Sequence, residues 1–277
     1  MGVKAKSALV SILIALVAAL AWHVGTLPKG GAVANVDPEY AKLMGLDQAK
    51  NDGLPTLAQL GATAWKQLSN PFYDAGSNDK GIGIQLAYSL GRVGLGFGLA
   101  ALVAIPFGFL IGLSPVAYGA LNPFIQVLKP ISPLAWMPLA LYTIKDSTTS
   151  SIFVIFICSI WPMLINTAHG VASVRRDWLN VARTLETSTF RLAFQVILPA
   201  AAPTILTGMR ISMGIAWLVI VAAEMLVGNL GVGYFVWNEW NNLSLSNVIF
   251  AIGLIGVVGM LLDLGFGALQ RAVTYAE

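Results

Sequence analysis

Five ionisable side chains lie within or beside strongly apolar stretches of this chain: Arg92, Lys129, Arg210, Glu224 and Asp263. A charge inside a membrane span costs at least ~2.5–3.5 kcal/mol on insertion scales, so each needs a partner or a task. Arg210, Trp217 and Glu224 are spaced seven apart, which keeps them within about 40° of one line on a helix. Arg92, Lys129 and Arg210 would supply fixed positive charge, which lowers the barrier to an anion in a low-dielectric region. The alternative is that Arg92 and Arg210 snorkel to an interface or pair with Glu224 or Asp263. Trp136, Met137, Met213 and Trp217 would either line a gate or pack as ordinary core. Other chemistry lacks its raw material. No Gly-x-x-x-x-Gly-Lys-Ser/Thr sequence offers a phosphate cradle, so the chain is not expected to hydrolyse ATP. His23 and His169 stand apart from any nucleophile pattern, Cys158 is the single cysteine, and no metal-ligand spacing occurs.

The elements that must position these groups are membrane spans. The 277 residues are 57% hydrophobic and 10% charged, where soluble domains carry about 25% charged residues. This predicts an all-α, polytopic membrane protein with about six transmembrane helices. A net charge of +3 gives no case for nucleic acid. Residues 1–27 hold the first span, Ala8 to Trp22 behind Lys4 and Lys6; Ala19-Leu20-Ala21 also resembles a signal-peptide cleavage triplet. Residues 28–83 form a long polar loop. Within it Leu54, Leu57, Ala58, Gly61, Trp65 and Leu68 share one helix face, with Pro55 suited to the start and Asn70-Pro71 to the stop. That helix either lies on the outer membrane surface, with Trp65 at headgroup level, or forms a docking platform.

Residues 84–277 hold the remaining spans, expected near 84–113, 122–144, 150–172, 204–227 and 248–269. In the second span Gly91, Gly94 and Gly98, and again Gly108 and Gly112, have the spacing that lets helices approach closely in lipid. The third is dense in proline, with Pro123, Pro130, Pro133 and Pro138, which predicts a kink or break. A turn is expected over 114–121, and the segment 228–247, with VWNEWNN at its centre, reads as an outer loop or interfacial aromatic belt. Arg175, Arg176, Arg183 and Arg191 all lie between spans four and five, so that loop, and by parity both termini, are expected in the cytoplasm.

That basic loop, 174–199, reads VRRDWLNVARTLETSTFRLAFQVILP. Trp178, Val181, Ala182 and Leu185 fall at i, i+3, i+4, i+7, one helix face. The pattern restarts after Thr187-Ser188-Thr189 with Phe190, Ala193, Phe194, Ile197 and Leu198, and Pro199 is expected to close it. Two short amphipathic helices joined by an elbow need something to cover them. That cover is the membrane surface, the chain's own helix ends, or a partner protein.

The loop resembles the EAA loop of permease subunits of ATP-binding-cassette importers, whose pattern is Glu-Ala-Ala, three residues, Gly, nine residues, Ile-x-Leu-Pro. Ala182, Leu198 and Pro199 match; Asn180 stands at the Glu position, Val196 at the Ile position and Glu186 at the Gly position. An L-residue in a left-handed elbow costs roughly 1–2 kcal/mol, so Glu186 either bears that strain or the elbow is shaped differently. Longer stretches between about Gln85 and Gln270, among them SPLAWMPLALYTIKDS and ILPAAAPTILTGMRISMGIAWLVIVAAEMLVG, resemble the nitrate/nitrite and bicarbonate permeases of that superfamily.

The resemblance implies a type I importer permease with the following partners: a second permease copy, two ATP-binding subunits that hold ATP and Mg, and an extracytoplasmic binding protein. It makes Asp177, Trp178, Val181, Ala182, Arg183, Leu185, Glu186, Phe190, Phe194, Leu198 and Pro199 the ATPase-docking loop. The intramembrane charges and gate candidates, Arg92, Lys129, Trp136, Met137, Arg210, Met213, Trp217 and Glu224, are then the residues expected along the path. The resemblance also implies an inner-membrane location and a small anion as cargo, nitrate or nitrite first, bicarbonate second, with sulfonate, taurine or cyanate further alternatives. Two other classes compete: a membrane-embedded enzyme, for which His169, Asp263 and Glu224 are the only material, and a sensor or scaffold that borrows the fold.

Overall fold

A computed structural model describes residues 3–26, 54–76, 79–228 and 230–273. Every long element is a helix. In chain order they are α1 (Val3–Gly25), α2 (Leu57–Ser69), α3 (Ile82–Leu113), α4 (Pro115–Leu128), α5 (Pro133–Ile144), α6 (Ser147–Ala172), α7 (Arg176–Thr184), α8 (Thr189–Val227), α9 (Val232–Asn241) and α10 (Leu245–Val273). Among the described residues α1, α3, α6, α8 and α10 are each long and apolar enough to cross a membrane; α4 and α5 together make a sixth candidate. By residue clustering the chain divides into two compact units, one holding 1–71 and 238–252, the other 72–237 and 253–277.

In the first unit, α2 starts where Pro55 suggested, and a reciprocal cap fixes it. Thr56 accepts from the Gln59 N–H and the Gln59 side chain accepts from the Thr56 N–H. The Trp22 indole donates to the Pro55 carbonyl at 3.0 Å, which ties α1 to the start of α2. The apolar face of α2 is open, with Trp65 77% exposed. Residues 28–53 of the polar loop lie outside the described residues.

The second unit is built on α3, α6 and α8. Its core joins Val93, Phe97, Ala100 and Ala104 of α3 to Val154, Ile155 and Met163 of α6 and to Ala216, Val219 and Ile220 of α8. Small residues set the approach. A Cβ at Gly96 would strike Ile155, at Gly108 the Leu164 carbonyl and Thr167, and at Gly112 the Ala168 carbonyl and Val171. Gly108 and Gly112 therefore act as the sequence spacing predicted. Gly91, Gly94 and Gly98 do not, since open space surrounds each of them. They fall on the opposite side of α3 from the packed line, which runs through Gly96 instead.

The break predicted in the proline-dense third span is present: α4 and α5 meet at 90°. Pro130 and Pro133 withhold backbone donors there, and Ser132 caps α5 by accepting from the Leu134 N–H. The expected turn over 114–121 is the first half of α4, because Ser114 caps it and Pro115 fits its first position. Within the segment 228–247, expected as an outer loop or aromatic belt, Val232–Asn241 forms the helix α9.

Candidate functional site

Two constructions hold the residues singled out by the sequence, and both lie in the second unit. The first is the basic loop. Helix α7 ends in a left-handed residue, Glu186, at φ 51°. The Glu186 N–H donates to the Arg183 carbonyl at 3.0 Å and the Thr187 N–H to the Ala182 carbonyl at 3.2 Å. These are the paired bonds of a Schellman turn, in which glycine usually holds the left-handed place. The Thr187 hydroxyl adds a second bond to the Ala182 carbonyl at 2.8 Å. Glu186 thus bears the strain, and the elbow keeps its form.

Beyond the elbow, Ser188 caps the next helix by accepting from the Arg191 N–H. Here the sequence misled: Pro199 ends nothing. The helix runs on from Thr189 to Val227 as one 39-residue rod. A widened π turn, Leu192–Ile197, precedes Pro199 and takes in the residue that has no N–H to give. The second amphipathic helix and the fifth span are therefore one continuous lever.

The loop is seated by Val171, Val174, Ile197, Ala201 and Ile205, with Leu179, Leu192 and Leu198 packed against them. Ala182 is turned inward and buried, so of the predicted α7 face only Trp178, Val181 and Leu185 stay open, Leu185 at 71%. Phe190 and Phe194 are also open and stack with ring centroids 4.5 Å apart. Asp177, Arg183, Glu186 and Pro199 are exposed around them, and Arg175 lies over the Trp178 ring at 5.9 Å. Leu179 was missed from the sequence; it is the next residue to Trp178 and belongs to the buried side of the same helix.

The second construction is a buried ion pair. Glu224 is 0% and Arg92 5% exposed, and Arg92 Nη1 donates to Glu224 Oε1 at 2.8 Å. Further donors complete the carboxylate. Ser89 Oγ lies 2.8 Å from Oε2, and the Gly233 N–H donates to Oε2 at 3.0 Å. Arg92 also donates to the Leu230 carbonyl at 2.6 Å, and Ser89 accepts from the Val232 N–H at 2.9 Å. A Cβ at Gly231 would land on the Glu224 carboxyl, and one at Gly233 on the Val221 carbonyl. The cluster therefore pins the start of α9 to α3 and α8. Neither Ser89 nor the glycines 231 and 233 was foreseen: Ser89 meets Glu224 across 135 residues, and the glycines matter only because the chain folds back against Glu224 and Val221.

Arg210 does not meet Glu224, although both lie on one side of α8. It makes a two-pronged bond to Asp263 of α10, Nε to Oδ1 at 2.6 Å and Nη2 to Oδ2 at 2.5 Å. This pair is open, at 40% and 51%. It borders a cleft of about 470 Å³ lined by Thr207, Arg210, Ile211, Gly214, Asp263 and Gln270. Between the two pairs Trp217 is buried and donates to the Ile255 carbonyl at 3.0 Å. Met137 and Met213 are buried and Trp136 half-buried in the same core. Lys129 is exposed at the end of α4, at the break before α5. So the path candidates separate into a closed pair, an open pair and packed side chains between.

Residues 104–275 match the family described as binding-protein-dependent transport system inner membrane component. The nitrate import permease NrtB of Synechocystis is 45% identical over 84% of both chains. The bicarbonate transport permease CmpB of Synechocystis is 44% identical over 74% of both. The taurine permease TauC of Escherichia coli is 38% identical over 68% of this chain and 69% of its own. Among solved structures, a chain of the inward-facing methionine ABC transporter MetNI superposes with a TM-score of 0.61 at 14% identity, covering 68% of this chain and 94% of that one. At that identity the likeness shows the fold alone.

Proposed function

The chain belongs to the binding-protein-dependent transport system inner membrane component family, with the fold of type I ATP-binding-cassette importer permeases, and from that membership we propose that it carries a small inorganic anion into the cytoplasm. It is a multi-pass inner-membrane transport subunit. Nitrate or nitrite is the proposed cargo; bicarbonate is the second reading, favoured by the nearly equal similarity to a bicarbonate permease.

The observation that carries the mechanism is the open apolar elbow at the start of a continuous helix. Trp178, Val181, Leu185, Phe190 and Phe194 expose apolar surface on the most basic loop of the chain. Monomeric surfaces rarely leave such patches uncovered. Two partner ATPase subunits, which bind ATP and Mg, would cover it in the complex, with Asp177, Arg183, Glu186 and Pro199 at the rim and Ala182 and Leu198 seating the loop from beneath. Because α8 is continuous from Thr189 to Val227, a push on Phe190 and Phe194 would tilt the helix that carries Arg210, Met213, Trp217 and Glu224. A second permease copy would complete the pathway, and an extracytoplasmic binding protein would deliver the anion. The N- and C-termini lie in the cytoplasm in this reading, and the polar loop with α2 lies outside.

The test is uptake in proteoliposomes that hold this permease, its ATPase chains and its binding protein. Labelled nitrate and bicarbonate are offered separately, with and without ATP. ATP-dependent nitrate flux is expected. Bicarbonate flux alone moves the cargo to the second reading, and no flux of either from a complex that hydrolyses ATP removes both.

A further inference from the structure

The open pair on α8 and α10 differs from the buried one in what surrounds it. Arg92 and Glu224 are sealed by Ser89 and by backbone groups. Among the described residues Arg210 and Asp263 bond each other, on the wall of a cleft of about 470 Å³. Arg210 lies about 25 Å along the helix from Val227 at 1.5 Å per residue, toward the end of the span nearest the basic loop. A charge pair within an apolar span faces protein or a water-filled cavity rather than lipid.

The geometry of the pair also has a shape. Asp263 takes both Nε and Nη2, the edge of the guanidinium that matches two oxygens of a planar anion. A carboxylate presents two oxygens on one trigonal centre, as nitrate and bicarbonate do. Gly267 stands beside the guanidinium, where a Cβ would make ordinary contact with its carbon at 3.6 Å, and the space at Gly214 is open. The polar rim of the cleft continues through Gln270, whose amide donates to the Thr207 hydroxyl at 2.8 Å.

We infer that Arg210 is an anion-binding residue of the pathway and that Asp263 is its built-in competitor, occupying the guanidinium edge when a trigonal oxyanion is absent. Asp263 keeps the charge neutral in the resting protein. It then displaces the anion after passage, so that the ion does not remain bound to the guanidinium. This inference rests on the anion-importer reading above.

Two readouts test it on the assembled protein. Nitrate binding is read as the nitrate-dependent rise in unfolding temperature of the purified permease–ATPase complex without binding protein. Uptake and ATP hydrolysis are read in proteoliposomes of the full complex. In D263N the competitor is gone, so the nitrate-dependent rise grows and uptake slows. In R210M/D263N, a neutral pair, the rise disappears and uptake falls at least ~10-fold, the equivalent of one lost charge-assisted contact. Co-purification of the ATPase chains with that variant checks that the complex still assembles. R210K, which keeps the charge but not the two-pronged edge, loses uptake while still assembling, and decides the matter if D263N does not fold. Parental uptake by R210M/D263N or by R210K overturns the inference, as does a folded D263N without any nitrate response. A parent complex that moves no nitrate, with D263N still responding to it, sinks the transport reading and leaves the anion site standing. Uptake by the parent with no response in D263N does the reverse.

Discussion

The hydroxyl and the N–H of Thr187 both donate to the carbonyl of Ala182, at 2.8 and 3.2 Å, and so lock the elbow in which Glu186 is held at φ 51°. Two neighbouring residues thereby do what a glycine does elsewhere. Glu186→Gly is expected to relieve about 1 kcal/mol of left-handed strain and to leave uptake per ATP unchanged or improved. Glu186→Val, β-branched at a positive φ, is expected to uncouple ATP hydrolysis from uptake. Equal coupling in both variants would show that elbow geometry does not matter.

The apolar elbow makes a sharper prediction. Leu185→Asp and Phe194→Asp are expected to abolish ATP-dependent uptake while the protein still inserts, because both side chains are open in the chain itself. Co-purification of the ATPase chains checks the cause. Normal uptake by a correctly inserted Asp variant would sink the docking role.

The buried pair predicts an asymmetry. Glu224→Ala leaves Arg92 buried and unpaired, which costs about 3–5 kcal/mol, and is expected to lower the thermal midpoint of the detergent-solubilised protein strongly. Arg92→Met with Glu224→Leu removes both charges and is expected to recover much of that loss. If the double variant is as unstable as Glu224→Ala, the charges do more than hold α9 in place.

Glycine substitutions separate packed from open faces. Gly108→Val and Gly112→Val force α3 away from α6 and are expected to lower stability by several kcal/mol, since backbone carbonyls stand in the way. Gly94→Val and Gly98→Val meet open space and are expected to leave the fold of the chain intact. The same thermal measurement, on the same preparation, decides it.

Two acids outside the spans carry a pH signature. The Lys80 ammonium beside Asp74 holds that carboxyl below the ordinary range, with help from the Gly76 N–H. The Thr149 hydroxyl and N–H do the same for Asp146 at the start of α6. A lowered folded pKa gives stability that is present above the unfolded value, near 3.8, and is lost as pH falls through the folded one. Asp74→Asn and Asp146→Asn are therefore expected to reduce the dependence of stability on pH below about 4, and to change nothing in that dependence between about 6 and 8. A change in slope near neutrality would contradict this.

Much of the site was legible because helix periodicity places residues on faces. The pattern Trp178, Val181, Leu185 identified the open side of α7, and the arginines around it identified a surface loop. Periodicity is silent on continuity, however. A proline after an amphipathic run reads as a stop, and only the π turn at Leu192–Ile197 shows how the backbone passes Pro199 without breaking. Ala182 was placed on the open face for a related reason: a small apolar residue fits either side of a helix, and the neighbours under the loop decide which.

The sequence alone determined that this is a membrane chain of about six spans, that one basic loop carries an unburied apolar face, and that its intramembrane acids and bases must be accounted for. Those conclusions rest on composition and local spacing, which folding does not change. Which base meets which acid was decided only by tertiary structure. Arg210 and Glu224 share a side of α8, yet Glu224 is taken by Arg92 of α3 and Arg210 by Asp263 of α10. A low dielectric compels each charge to find a partner. The choice of partner follows from which helices lie alongside, and that is set by small residues such as Gly96, Gly108 and Gly112 that let α3 close on α6.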